Sequence, residues 1–191
     1  MEVQEYLTIM NRIQNILLEY IDNEDGIQDN FNKFIKLLTR HKIQEDKHKL
    51  AAVLYLISVI INYHYRTTNF FDKIFDIILF LKPYIQKNYT NREIFNFFSN
   101  KKVLLFLIKE KLISCDKSIV SNLLDNYGRL SNTGIYLYPE IKQYVDEKSI
   151  RFLEIPENLE ELRDTEYSDN QILQLIQKDL IDEFIVYLNS T

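Results

Sequence analysis

Cysteine occurs once in this 191-residue chain, at Cys115, so no disulfide can form within it and a reducing compartment is the natural setting. Glycine and proline are nearly as scarce, with three of each. The glycines, Gly26, Gly128 and Gly134, never cluster, which excludes a G-x-G-x-x-G turn, a Walker A loop and a nucleophile elbow. Each of those needs close approach of backbone at neighbouring glycines, so most nucleotide-binding and hydrolase classes fall with them. Long apolar runs are missing too. The longest uncharged stretch, Leu50 to Tyr65, contains Asn62 and His64 and is shorter than the ~18 residues a bilayer span needs. The start, Met1-Glu2-Val3-Gln4-Glu5, has neither a basic nor an apolar segment of the kind that directs secretion, so a cytoplasmic location is expected.

What is present is apolar and charged in helical proportion. Hydrophobic residues make up 46% and aromatics 13%, enough to build one substantial core. Lys and Arg number 23 against 28 Asp and Glu, a net charge of -5, the wrong sign for a general nucleic-acid binder. The charge is uneven. Lys33, Lys36, Arg40, Lys42, Lys47 and Lys49 face only Glu45 and Asp46, whereas Glu154 to Glu183 holds ten carboxylates against Arg163 and Lys178. Solvated helix faces are the ordinary explanation of both.

The apolar spacing predicts helices nearly throughout. Val3, Tyr6, Leu7, Met10, Ile13, Leu17, Tyr20 and Ile21 mark one to about Asn23, ended by Gly26, and Phe31, Phe34, Ile35 and Leu38 mark a second over 27–39. A short loop between them should make the two antiparallel. A third, about 44–65, is apolar all round from Leu50 to Ile61, as a helix enclosed at the centre of the core would be. Thr68 can cap a fourth, carrying Phe70, Phe71, Ile74, Ile77, Ile78 and Leu81, which Pro83 should kink or end. Thr90-Asn91-Arg92-Glu93 has capping-box spacing ahead of Ile94, Phe95 and Phe98. A further helix spans 102–111, and Asp116 can cap one bearing Ile119, Leu123 and Leu124. Ser131 to Gly134 reads as a loop, Ile135 to Tyr138 as extended, and Pro139 as the first turn of a helix to about Glu147. Ile155-Pro156-Glu157 is the second break and the expected boundary. Beyond it lie an acidic helix at about 158–163 and a short pair, with Ile172, Leu175 and Ile176, then Phe184, Ile185 and Leu188, facing one way. So short a pair needs a neighbour to cover that face, as in helical repeats.

Catalytic chemistry finds little footing. His41, Glu45 and His48 could share a helix face, and two histidines with a carboxylate would suffice for zinc. No H-E-x-x-H or nearby cysteine supports them, though, and the surrounding lysines repel a cation. Surface histidines, with no metal and no cofactor, are expected. His64 reads as a helix C-terminal partner or a core residue with one hydrogen bond. Cys115 has no histidine after residue 64 to activate it, and adjacent carboxylates such as Glu160 and Glu161 belong to an acidic face rather than a cleft. The Tyr and Phe residues fall at core spacing without an RNP-like run.

Three blocks carry a family resemblance. Asn100 to Lys111 with Asp116-Lys117, then Tyr136-Leu137-Tyr138-Pro139-Glu140-Ile141, then Glu161-Leu162-Arg163 with Ile172 to Ile176, Asp179 and Glu183 to Asn189, resemble the helical domain of unknown function that precedes ankyrin repeats in trichomonad-type protozoan proteins. The resemblance implies an all-α, repeat-like stack of short antiparallel helices ending in an ankyrin-like pair. It also implies a non-catalytic role in protein binding, as the N-terminal extension or cap of a repeat scaffold. The expected organisation is a helical domain over 1–155 and an acidic linker with the terminal pair over 156–191, or one continuous domain. The expected interaction face is Ile172, Leu175, Ile176, Phe184, Ile185 and Leu188, the partner a protein or the following repeats. The chain stops about where those repeats would begin, and Thr165 and Glu166 stand where the family has a linker glycine. The rival reading is a nucleic-acid-associated role for segment 33–49.

Overall fold

The computed structural model describes residues 3–23, 27–64 and 69–151, together with 155, 159 and 163. The chain divides into two compact units, 1–151 and 152–191. In the second, only Leu159 and Arg163 are described as helical, so the terminal pair and the six residues of its stacking face lie outside the described residues.

The first unit is all-α. Its helices are α1 (Val3–Asp22), α2 (Ile27–Arg40), α3 (Lys47–Tyr63), α4 (Phe70–Asn88), α5 (Asn91–Phe97), α6 (Lys101–Lys109), α7 (Lys117–Ser121), α8 (Asn132–Tyr136), α9 (Tyr138–Ile141) and α10 (Glu147–Ile150). Short 3-10 turns occupy Ile43–Glu45 and Lys142–Tyr144, and no strand occurs among the described residues beyond a single bridge between Leu124 and Leu130.

Side-chain contacts give the direction of each helix. The end of α1 meets the start of α2 through Tyr20 and Phe31, whose rings stack at 5.2 Å, so these two are antiparallel as the short loop implies. α1 and α3 run the same way, because His64 at the end of α3 reaches Asp22 at the end of α1. Lys47 and Glu93 pair the start of α3 with that of α5 at 2.8 Å. Asn91 and Ser114 exchange two hydrogen bonds that set the start of α7 beside the start of α5. α1, α3, α5 and α7 thus form one row of parallel helices, each touching the next. α2, α4 and α6 form a second row running the other way, joined by Phe31 and Phe34 against Phe80 and by Phe75 stacked on Phe106 at 4.0 Å. Consecutive antiparallel pairs therefore stack side by side, and their apolar faces close one core that includes Ile13, Leu17, Phe34, Leu54, Ile57, Phe70, Ile77 and Leu107.

With few glycines, side chains and left-handed lysines terminate the helices. α6 ends in a Schellman turn: the Lys111 N–H donates to Ile108 and the Leu112 N–H to Leu107, while Lys111 takes φ 57 where glycine is usual. Lys42 also takes a left-handed φ, 50, after α2. α4 supplies further caps. Lys73, only 4% exposed, donates to the carbonyls of Ile21 and Asn23 at the end of α1, at 2.8 and 3.1 Å. Lys82 donates to the Glu110 carbonyl at 2.6 Å, and Gln86 to that of Lys111 at 3.3 Å. These carbonyls lie at or just past helix C-termini, where a cation suits the negative end of the dipole.

Several sequence expectations hold. Thr90 and Glu93 form the capping box and Asp116 caps α7. Others are corrected. α3 starts at Lys47, because Asp46 accepts from the His48 and Lys49 amides and thereby makes a new N-cap. Of the two outcomes expected at Pro83, a kink or an end, the second does not occur: α4 continues to Asn88 with Pro83 exposed within it. α7 stops at Ser121; Leu123 follows in a turn and Leu124 in the bridge to Leu130. Ser131 is an N-cap rather than part of a loop, accepting from the Gly134 amide, and 135–138 passes from α8 through a turn at Leu137 into α9 rather than being extended. The helix opened by Pro139 ends at Ile141 and is followed by a 3-10 turn. Thr68 and Gly26 lie outside the described residues.

Candidate functional site

The third helix is where expectation and structure differ most usefully. Leu50, Val53, Leu54, Ile57, Ile60 and Ile61 point inward and are buried. α1 and α5 flank α3 and α4 packs beneath it, which leaves the fourth side bare. On that side stand Tyr55, Val59 and Tyr63, exposed by 57%, 53% and 84%, with Ala52 and Leu56 half-buried beside them. The spacing of four residues keeps them on one ridge. No charged side chain interrupts the helix after Lys49, so the ridge is uncharged as well as apolar.

The ridge is held firmly. Tyr55 packs edge-to-face on Phe97 of α5, ring centres 4.9 Å apart, and Phe97 in turn meets Tyr89 at 5.0 Å. Tyr89 donates its hydroxyl to the Lys47 carbonyl, and burial pushes its pKa up to about 12, with the Glu93 carboxylate adding to the shift. At the other end the Asn62 amide donates to the Ser99 hydroxyl at 3.2 Å, and His64 contacts Asp22 at 2.7 Å. Aromatic side chains on a rigid support lose little conformational freedom on contact, which is why tyrosine is favoured at protein interfaces.

The other sequence candidates scatter. His41, Glu45 and His48 form no metal-ligating group, and none occurs among the described residues. His64 caps α3 and bonds Asp22, in keeping with a helix-end partner. Cys115 is half-buried; burial, then the carboxylates of Glu140 and Asp116, raise its thiol pKa, the opposite of what a nucleophile needs. Within the basic segment, Lys33 pairs with Asp29 at 2.8 Å, Lys47 with Glu93 at 2.8 Å and Lys49 with Asp46 at 3.9 Å, so half of its cations are matched by carboxylates. No helix among the described residues is long and apolar enough to cross a membrane.

Sequence reasoning missed the ridge because an uncharged run reads the same whether three or four of its sides are covered. The signal available was the placement of tyrosines, amphipathic residues suited to a wet surface, at 55 and 63 on one side. Lys73 was also missed, although a lysine three residues after Phe70, within the apolar stripe of α4, marks a buried cation in need of acceptors. Comparison of the chain with protein-family models, with curated proteins and with solved structures finds no match to any of them.

Proposed function

We propose that this chain is a non-catalytic protein-interaction module of the cytoplasm, serving as the N-terminal extension or cap of an ankyrin-repeat scaffold. The observation that carries this reading is the stacking of consecutive antiparallel pairs into two rows of fixed direction. In such an arrangement each pair covers one side of its neighbour, and a further pair extends the same core. The uncharged ridge on α3 supports a protein partner, since contiguous exposed apolar surface marks interaction sites. The stacking face of the proposal is Ile172, Leu175, Ile176, Phe184, Ile185 and Leu188.

The test is to join consensus ankyrin repeats to the chain after Thr191 and follow denaturant unfolding with separate probes in the two parts. Coupled unfolding in one transition is expected, and Phe184→Asp should split it into two. Repeats that unfold at the same midpoint with and without the chain, or a Phe184→Asp variant that leaves both stability and coupling unchanged, would refute the role.

A further inference from the structure

A pocket of about 290 Å³ lies between the first half of α1 and the end of α2, lined by Glu5, Thr8, Ile9, Arg12, Arg40 and His41. Its floor includes Ile9, which is buried. Two of the seven arginines in the chain line this one recess. Among the cations of 33–49, Lys33, Lys47 and Lys49 each pair with a carboxylate. Neither Arg12 nor Arg40 has an ion pair or a side-chain hydrogen bond among the described residues, and Glu5, lining the same pocket, pairs with neither of them.

We propose that this pocket binds a small anionic ligand whose phosphate or carboxylate group is held between the guanidiniums of Arg12 and Arg40, over Ile9. A guanidinium presents paired N–H groups in a plane that matches two oxygens of an oxyanion, so two arginines lining one recess suit a single phosphate or carboxylate better than a diffuse polyanion. The pocket sits at the small end of the range for ligand sites, which favours a compact ligand. Extended nucleic acid fits less well, because several lysines it would need are already neutralised by carboxylates.

The experiment titrates the full chain with inorganic phosphate and, separately, acetate at constant ionic strength held with chloride, reading melting temperature and backbone amide NMR shifts. Saturable shifts at Ile9, Arg12 and Arg40, with a rise in melting temperature, are expected from at least one probe. Preference for phosphate over acetate would assign a phosphate ligand, and the reverse a carboxylate. Arg12→Gln and Arg40→Gln should each weaken the response roughly tenfold, while Lys87→Gln, on a different helix, should leave it alone. Linear, unsaturated shifts with both probes would overturn the proposal, as would an Arg12→Gln/Arg40→Gln double variant that responds like the native chain. Both arginines are exposed, so the variants should fold, which circular dichroism checks independently of binding.

Discussion

At the scale of single residues, the scarcity of glycine leaves distinct marks. Lys111 holds a left-handed conformation, φ 57, that a side chain disfavours by about 1 kcal/mol. Lys111→Gly should therefore stabilise the protein by about that amount, seen as a higher denaturant midpoint at unchanged slope; a lower midpoint would show that the lysine side chain contributes more than its strain costs. Gly134 presents the opposite case. It lies inside α8, and a Cβ there would stand 2.9 Å from the Leu123 carbonyl oxygen and 2.9 Å from a Leu130 methyl. The leucine can move but the carbonyl is backbone, so Gly134→Ala should cost about 1–3 kcal/mol despite alanine's better helix propensity. A gain in stability, as propensity alone predicts, would mean that α8 shifts freely away from the 123–130 turn.

At the scale of elements, the junction of α3, α4 and α5 concentrates electrostatics. Glu93 accepts from Lys47 and from the Thr90 amide and hydroxyl, and these contacts hold its pKa down to about 2. A folded-state value below the unfolded one, near 4.3, stabilises the fold above the unfolded pKa, and that contribution is lost as pH falls from there through about 2. Glu93→Gln should flatten the acid limb of the stability profile between about pH 4.5 and 2. Urea midpoints across that range measure it; an unaltered slope would show that the carboxylate is no better placed in the folded chain than in the unfolded one. Local order of this kind was readable in advance. A capping box and the Asp116 cap are each written within four consecutive residues, and the apolar stripes of α1, α2 and α4 repeat every three or four, because their geometry needs only near neighbours. Ser131 to Tyr138 was misread for the complementary reason: its glycine and tyrosines argue for loop and strand locally, while packing against Leu123 and Leu130 holds it helical.

At the scale of the molecule, which side of α3 stays bare depends on where α1, α4 and α5 sit, and no window of sequence around residues 50–61 carries that information. The arginine pocket is likewise built from residues some thirty positions apart, brought together only when α2 folds back along α1. The face at Ile172 to Leu188 lies outside the described residues. The two rows make a further expectation measurable. α3 and α4 have a neighbouring pair on either side, whereas α8, α9 and α10 are single turns; amide exchange should thus be slowest in α3 and α4 and fastest in 132–150. Uniform protection across the unit would indicate that the stack opens only as a whole.

The same two rows bear on how this chain would respond to force. Adjacent pairs are tied laterally, by Lys47 to Glu93, Asn91 to Ser114, Phe75 to Phe106 and Lys73 to the end of α1. Tension applied along the stack loads these ties one seam at a time, like a zip rather than a knot. Such a chain would yield by peeling off pairs in sequence at modest load and recover them in reverse, behaving as a spring between whatever its two ends hold.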